Sequence, residues 1–251
     1  MTAILDVEAL EKSFGGVRAV QGVSFAVAAG EMLALIGPNG AGKSTCFNML
    51  NGQLRPDGGR VRLLGQDITG LAPRRVWRMG VGRTFQITAT FGSMTVRENV
   101  QMALLSHARR LLRFWQPAPS HFGAEADALL ARVGMAEQAE HACGVLAYGD
   151  LKRVELAVAL ANAPRLLLMD EPTAGMAPRE RVALMALARD IARAEGIAVL
   201  FTEHDMDVVF AQADRIIVLD RGRLIAEGAP AAVRANADVQ AVYLGAGLVH
   251  G

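Results

Sequence analysis

The 251-residue sequence predicts an α/β fold in which a largely parallel sheet with crossover helices is interrupted by a helical segment. Two stretches predict the sheet. An apolar strand, a glycine-rich loop and a helix follow one another over 32–50, and strands alternate with helices from Pro164 onward. Between these stretches, from Thr95 to about Ala163, apolar residues recur at helical spacing. Since 52% of the residues are apolar, such a fold can bury a substantial core.

The first third of the chain is expected to contain short strands separated by glycines and turn residues. An apolar strand over 32–36 leads into the glycine-rich loop, and the residues after the loop have helical character. The other elements predicted here are strands over 4–7, 17–20, 23–27, 60–64 and 80–85 and a short helix over 73–79.

The middle segment is predicted to be helical over 96–105 and 124–133. The stretch between these helices, 107–117, is basic and aromatic, and a solvated helix end with a packed Trp115 is favoured there over a contact with a membrane surface or a partner. The elements predicted beyond Pro164 are strands over 166–169, 198–202 and 215–219, a helix over 178–195 and a last helix over 231–244.

Composition excludes several classes of protein. The chain has 26 Lys+Arg against 25 Asp+Glu, so no bulk electrostatic attraction to nucleic acid is expected. Cys46 and Cys143 fit no metal-binding spacing. No apolar run approaches the roughly 20 residues of a membrane-spanning helix, and the first residues lack a signal-peptide pattern. We therefore expect a cytosolic protein that works at a membrane only if a partner holds it there.

The glycine-rich loop is a complete Walker A motif, Gly-x-x-x-x-Gly-Lys-Ser, placed between a strand and a helix. Its glycines let successive N–H groups face a phosphate, and the helix adds its positive N-terminal end. Lys43 supplies a cation for the β- and γ-phosphates, and Ser44 a hydroxyl for Mg²⁺. The residues predicted to hold ATP here are Gly37, Pro38, Asn39, Gly40, Ala41, Gly42, Lys43, Ser44 and Thr45.

A second motif follows the apolar strand at 166–169, where Asp170 and Glu171 end the strand. Open α/β sheets bind their ligands at this end of a strand. Asp170 is therefore predicted to hold Mg²⁺ through its water shell, and Glu171 to polarise the water that attacks the γ-phosphate.

Three further features complete the pattern. Gln86 follows the strand at 80–85, His204 follows the strand at 198–202, and the stretch 146–153 precedes a helix predicted over 154–163. With the two motifs above, this layout resembles the ATP-binding cassette (ABC) ATPases over essentially the whole chain. The resemblance implies a P-loop NTPase fold with a mixed core sheet, an N-terminal antiparallel β part and an inserted helical subdomain. It implies one domain, with a nucleotide-binding core at about 1–88 and 164–251 and the helical subdomain at about 89–163.

The resemblance also implies roles for single residues. Phe14 would stack on adenine, Gln86 would be a Mg²⁺ ligand that moves with the helical subdomain, and His204 would contact the γ-phosphate and orient the water or Glu171. Glu171, His204 and Gln86 are thus the implied catalytic residues, and Ser44, Gln86 and Asp170 the implied Mg²⁺ ligands. The signature residues Ala147, Tyr148 and Gly149 would contact in trans the ATP of a second subunit, which makes the working unit a dimer.

Two departures from the family pattern fall on the parts that face the second subunit. The usual signature is Leu-Ser-Gly-Gly-Gln, but here Ala147 lacks the serine hydroxyl, Tyr148 replaces a glycine and Asp150 stands where Gln is usual. Asp150 is predicted to cap the N–H groups of its helix and to bring negative charge near the γ-phosphate. Ala177 occupies the place of the usual aspartate of the D-loop. Since Glu171 and His204 are present, hydrolysis is still expected.

Local strings narrow the resemblance to bacterial branched-chain amino acid importer ATPases; they are found at 81–86, 91–99, 146–149, 174–176 and 242–245. Urea-type importers and lipopolysaccharide exporters share parts of them. The subfamily implies a homodimer or a heterodimer with a paralogous ATPase, transmembrane permease subunits, indirectly a periplasmic binding protein, and a place on the cytoplasmic face of the bacterial inner membrane. The alternatives are a non-transport ABC ATPase acting on nucleic acid or ribosomes, and an ATP-dependent clamp with little hydrolysis.

Overall fold

The structure is a computed structural model that describes residues 3–84, 90–108 and 122–244. Gln86 and Trp115, which carry two of the expectations above, lie outside these ranges. In the described part no helix has both the length and the apolar character needed to span a membrane.

The strands form two sheets. A four-stranded antiparallel sheet has the order β2-β1-β4-β5, and a six-stranded sheet has the order β10-β9-β3-β8-β7-β6, parallel except for the β9–β10 pair. The strands are β1 Ala3–Phe14, β2 Val17–Ala28, β3 Met32–Ile36, β4 Gly58–Leu63, β5 Gln66–Asp67, β6 Val81–Thr84, β7 Leu166–Asp170, β8 Ala198–Thr202, β9 Arg215–Asp220 and β10 Arg223–Gly228.

Helices cover the six-stranded sheet and form the middle segment. Several begin with a clear local signal: Thr95 and Glu98 form a reciprocal capping box, and the Asp205 carboxylate accepts the N–H groups of the next helix. The helices are α1 Lys43–Leu50, α2 Pro73–Arg78, α3 Val96–His107, α4 Gly123–Arg132, α5 Tyr148–Leu160, α6 Pro178–Glu195, α7 Met206–Gln212, α8 Pro230–Arg234 and α9 Ala237–Leu244.

The predicted fold class is confirmed: a mixed, mainly parallel sheet, an antiparallel N-terminal part and helices between them. α6 has the predicted bounds, and β7, β8 and β9 differ from their predicted bounds by at most one residue. The structure adds β5, α7 and β10, which the sequence analysis did not predict. The division into core and helical subdomain stays a prediction.

The predictions of local structure for 17–27 and for 231–244 are wrong. The strands expected at 17–20 and 23–27 are one strand, β2, because Gly22 adopts φ 70 and is accommodated as a bulge opposite Leu10 and Glu11. The single helix expected over 231–244 is two helices, because the Asn236 side chain accepts the N–H groups of Asp238 (2.9 Å) and Val239 (3.2 Å) and starts α9 anew.

The core lies on both faces of the six-stranded sheet, and alternate residues of β3 belong to its two halves. Met32, Ala34 and Ile36 pack in one apolar cluster, and Leu33 and Leu35 in the other. All five side chains are buried, so β3 is held from both sides. This fixes the position of the loop that follows it.

Candidate nucleotide-binding site

One edge of the six-stranded sheet brings the predicted site residues together. β3 is followed by Gly37, β7 ends at Asp170, and β8 ends at Thr202 with His204 two residues later. β8 lies between β3 and β7, and the three strands are parallel. Their carboxyl ends therefore meet at one edge, where open α/β sheets bind ligands.

The Walker A loop packs closely against its neighbours. A Cβ atom on Gly37 would lie 2.2 Å from the Leu219 carbonyl oxygen, and one on Gly42 would lie 2.4 Å from that of Ala19. Gly42 adopts φ 105 and is the N-cap of α1, where it receives no side-chain cap from any described residue. The N–H groups of the first helical turn thus remain available for a phosphate.

The Lys43 side chain is folded back onto this loop and is buried, with 8% of the residue exposed. Its Nζ donates hydrogen bonds to the carbonyl oxygens of Gly37 (2.7 Å) and Pro38 (3.1 Å). Burial lowers the pKa of the Lys43 ammonium group from its usual value, while the nearby carboxylates of Glu171 and Asp170 act in the opposite direction. The predicted phosphate cation and the two predicted carboxylates therefore do share one site.

Asp170 is oriented through both of its carboxylate oxygens. Thr202 Oγ1 donates to Oδ1 at 2.8 Å, and Arg83 Nη2 donates to Oδ2 at 3.2 Å. Arg83 Nη1 also reaches Gln53 Oε1 (2.8 Å) and Asn48 Oδ1 (3.2 Å), so it connects β6 and β7 with α1 and the turn after it. Sequence reasoning did not assign a role to Thr202 or Arg83, although polar residues near the ends of apolar strands are a recognisable signal.

Glu171 stands in a strained backbone position with φ 48. Such a conformation costs about 1–3 kcal/mol and occurs mainly where function requires it. The Glu171 N–H donates to Thr202, to the carbonyl oxygen at 3.2 Å and to Oγ1 at 3.1 Å. Its Oε1 lies 2.7 Å from His204 Nε2. The two residues that the resemblance implies as catalytic partners are therefore in direct contact, although their catalytic roles stay predictions.

Glu203, for which no role was predicted, contacts the backbone next to the Glu171–His204 pair. Its side chain is buried, and its Oε1 accepts hydrogen bonds from the N–H (2.9 Å) and Oγ1 (2.6 Å) of Thr173. Its Oε2 accepts the N–H of His204 at 3.3 Å. Glu203 thus connects the end of β8 with the segment that follows Glu171, and a charged residue directly after an apolar strand was the signal available for it.

The helix of the signature motif begins earlier than predicted. The helix predicted over 154–163 begins at Tyr148, because Ala147 is extended (φ −61, ψ 151) and turns the chain directly into the helix. The Tyr148 ring lies beside the D-loop: a Cβ atom on Gly175 would be 3.4 Å from Tyr148 Cε1. Lys152 Nζ is 5.4 Å from the centre of the same ring. The signature residues therefore form the exposed first turn of α5.

A second acidic group lies close to this turn. A Cβ atom on Gly149 would be 3.2 Å from the carboxyl carbon of Glu180, the third residue of α6. Asp150 is likewise the third residue of α5, and together with Gly149 and Glu180 it lines a cleft of about 230 Å³. The Asp150 side chain makes no hydrogen bond within the described residues, so the local capping predicted for it is not found there.

The remaining predicted residues are placed as follows. Phe14 ends β1 and is 48% exposed, and Lys12 Nζ lies over its ring at 5.6 Å from the ring centre. Ser44 is exposed and Thr45 partly exposed in the first turn of α1. Ala177 precedes α6 and is exposed. Gln86 lies outside the described residues.

The oxygen donors at this edge suit Mg²⁺. Among the residues that the structure describes, no group of three or more His, Cys, Asp or Glu side chains could hold a metal ion. Mg²⁺ does not need such a group, because it is usually held by one or two protein oxygens together with waters and substrate phosphates. The Ser44 hydroxyl and the Asp170 carboxylate are a donor set of this kind.

Comparisons with known proteins agree with this geometry. A family model described as ABC transporter matches residues 20–174, and one described as branched-chain amino acid ATP-binding cassette transporter matches residues 223–249. The chain is 39% identical to the high-affinity branched-chain amino acid transport ATP-binding protein BraF of Pseudomonas aeruginosa, over 96% of this chain and 98% of BraF.

Solved structures also resemble most of the chain, and two of them are described here. An ATP-binding cassette of an ABC transporter in its ADP conformation is 33% identical, with a TM-score of 0.88 over 98% of this chain and 100% of that one. A dimeric cassette in a post-hydrolysis state with ADP and Pi is 25% identical, with a TM-score of 0.76 over 90% of this chain and 98% of that one. The chain thus belongs to the ATP-binding cassette ATPases of ABC transporters.

Proposed function

We propose that this protein hydrolyses ATP to power an ABC importer for branched-chain or related amino acids. Hydrolysis is supported above all by the contact of 2.7 Å between His204 Nε2 and Glu171 Oε1. This contact lies at the sheet edge that carries the Walker A loop. The substrate class is supported by the match at residues 223–249 and by the printed name of BraF.

Each residue of the site has its own proposed task in the reaction. The Walker A loop and Lys43 bind the phosphates, and Glu171 acts as the base that takes a proton from the attacking water. His204 orients the Glu171 carboxylate, and Phe14 stacks on adenine. Thr202 contacts both the Asp170 carboxylate and the backbone N–H of Glu171, so it links the two residues directly. Gln86 is proposed as a further ligand that responds to movement of the helical subdomain.

Mg²⁺ would be held by Ser44 and Asp170, with Gln86 as the third proposed protein ligand. When bound, it would supply positive charge that stabilises the negative charge on the phosphates during transfer. Thr202 and Arg83 contact the Asp170 carboxylate, so this side chain is held in one conformation before the ion binds.

We propose a dimer as the working unit, either of two copies or of this chain and a paralogous ATPase. The first turn of α5, with Ala147, Tyr148 and Gly149, would face the ATP of the second subunit. Its backbone N–H groups and the positive end of the helix suit a phosphate even though the usual serine hydroxyl is missing.

A permease subunit is the proposed occupant of a small apolar surface on the helical part. Phe91 is 58% exposed and Val145 76% exposed. They lie on neighbouring segments, since the Gly144 N–H donates to the Gly92 carbonyl oxygen at 2.9 Å. Such a contact would hold the ATPase on the cytoplasmic face of the bacterial inner membrane, with a periplasmic binding protein acting from the other side.

Purification from membranes in mild detergent, followed by reconstitution into vesicles, tests the proposal. We expect permease subunits to co-purify and ATP to drive uptake of leucine, isoleucine or valine. Phe91→Asp should lower the yield of permease, whereas Leu64→Asp, a matched change at an exposed apolar residue on the β4–β5 turn, should not. Uptake of urea, export of lipopolysaccharide, or co-purification of ribosomal or repair proteins instead of a permease would overturn the proposed function.

A further inference from the structure

One arginine joins two loops that lie beside the proposed catalytic pair. The first is the D-loop, residues 174–177, which leads into α6. The second is the segment 203–205, which leads from β8 into α7 and contains His204. Arg181, the fourth residue of α6, makes a hydrogen bond to each of these loops. It has no part in the site described above.

The Arg181 guanidinium uses a different N–H group for each loop. Its Nε donates to the Met176 carbonyl oxygen at 2.7 Å, and its Nη1 donates to Asp205 Oδ2 at 2.8 Å. Because the guanidinium is planar and its N–H groups point in fixed directions, the two contacts together restrict how the loops can lie relative to each other.

Asp205 extends this contact to the backbone that follows His204. While Oδ2 pairs with Arg181, Oδ1 accepts the N–H groups of Asp207 (3.1 Å) and Val208 (3.3 Å) at the start of α7. The carboxylate is therefore held through both of its oxygens, and the backbone directly after His204 is held with it.

The backbone before His204 is held by Glu203. Its Oε2 accepts the N–H of His204 at 3.3 Å, and its Oε1 accepts the N–H and the hydroxyl of Thr173. The His204 side chain itself is 54% exposed, so burial does little to fix the direction of its imidazole. Its contact with Glu171 therefore depends on where the segment 203–205 places the backbone.

We propose that Arg181 is a positioning residue that holds the segment 203–205 against the D-loop and thereby keeps the His204 imidazole on the Glu171 carboxylate. This inference rests on the proposed function, in which Glu171 and His204 act in hydrolysis. Arg181 touches neither the nucleotide nor the reacting atoms in this account. Its loss should therefore slow the chemical step and leave the binding of ATP unchanged.

Arg181→Met tests the proposal, because methionine keeps an unbranched apolar stem and removes both donors. Arg189→Met is the matched control: Arg189 lies about two turns further along α6, has a similar exposure and pairs with the neighbouring Asp190. We expect Arg181→Met to lower kcat by about 2- to 10-fold, the effect of one hydrogen bond, and to leave the Kd of a fluorescent ATP analogue unchanged. Arg189→Met should leave both values at those of the wild type.

A His204→Ala background separates positioning from a general effect on the fold. If Arg181 acts through His204, Arg181→Met should not lower kcat further once the imidazole is gone. Asp205→Asn tests the other partner, since asparagine can still cap α7 but removes the charged acceptor of Arg181. It should lower kcat by the same factor as Arg181→Met, and the double variant should fall no further.

The proposal is overturned if Arg181→Met has the wild-type kcat, or if Arg189→Met loses as much. It is also overturned if Arg181→Met lowers kcat by the same factor with and without His204, since the effect would then not pass through the imidazole. A higher Kd with an unchanged kcat would contradict it as well. Failure of the proposed function is recognised separately, because the wild-type protein would then not hydrolyse ATP or Glu171→Gln would retain the wild-type rate.

Discussion

The two faces of the proposed composite site differ in how far they follow the family pattern. At the sheet edge, the residues match the family pattern at the Walker A loop, Asp170, Glu171 and His204. Their side chains are held by several contacts. The face formed by the first turns of α5 and α6 departs from the pattern at several positions, and its Asp150 side chain has no hydrogen bond within the described ranges.

The chemistry of each face explains the difference. The sheet edge must place particular groups, namely an ammonium, two carboxylates and an imidazole, and no other side chains perform the same tasks. The signature turn supplies mainly backbone N–H groups and a helix end, which persist whatever the side chains are. We therefore expect changes at the sheet edge to affect binding and chemistry, and changes at the signature turn to affect closure of the dimer.

The largest effect is expected for Lys43→Ala at the sheet edge. This variant loses the loop's only side-chain cation, so ATP affinity should fall by about 10- to 100-fold and turnover should be lost, on the scale of hydrogen bonds to charged groups. Direct titration with ATP measures the affinity, and added MgATP should raise the melting temperature less than in the wild type. Wild-type ATP affinity in the titration would refute the assignment of Lys43 as the phosphate-binding cation.

Glu171→Gln should separate binding from chemistry at the same face. The amide keeps the shape of the side chain but cannot accept the proton, so hydrolysis should slow by about 100-fold or more while ATP binding is retained. An ATP-bound dimer should accumulate and be visible in gel filtration. Hydrolysis at the wild-type rate would place the base elsewhere.

His204→Ala should have a smaller effect, because the histidine acts through Glu171. The loss of its contact with the carboxylate should lower kcat by about 10- to 100-fold, on the scale of a charge-assisted hydrogen bond. His107→Ala is the matched control, since His107 packs edge-on against Trp77 in α2 and has no contact with the site among the described residues. Equal loss in both variants would indicate a general effect on the fold.

The smallest effect is expected at the signature turn, for Asp150→Gln. Negative charge at this turn should oppose the approach of the partner's ATP, and the contribution of a charge at the protein surface is about 0.2–1 kcal/mol. In a Glu171→Gln background, the Asp150→Gln variant should dimerise at an ATP concentration about 1.5- to 5-fold lower than the background alone. Light scattering across an ATP titration measures this, and identical midpoints would mean that the Asp150 charge does not influence closure.

Sequence reasoning succeeded where one local segment carries the signal. The Walker A loop lies between β3 and α1 as its strand–glycine–helix pattern requires, and α6 begins after Ala177 at Pro178 and ends before Gly196, both typical helix boundaries. It failed where the contact joins distant segments. Arg83 reaches Asp170 across 87 positions of sequence, so its partner could not be chosen before the topology was known.

The difference between the two faces is tested most directly by comparing Glu171→Gln with the double variant Glu171→Gln, Gly149→Glu. The added glutamate places a second negative charge beside Glu180 at the first turn of α5 and leaves the sheet edge intact. At low protein concentration, where the subunits are monomeric, both proteins should bind ATP with the same Kd. At high concentration, light scattering should show ATP-dependent dimers only for Glu171→Gln. If Gly149→Glu weakens ATP binding to the monomer, or leaves dimer formation unchanged, the assignment of the two faces to different steps is contradicted.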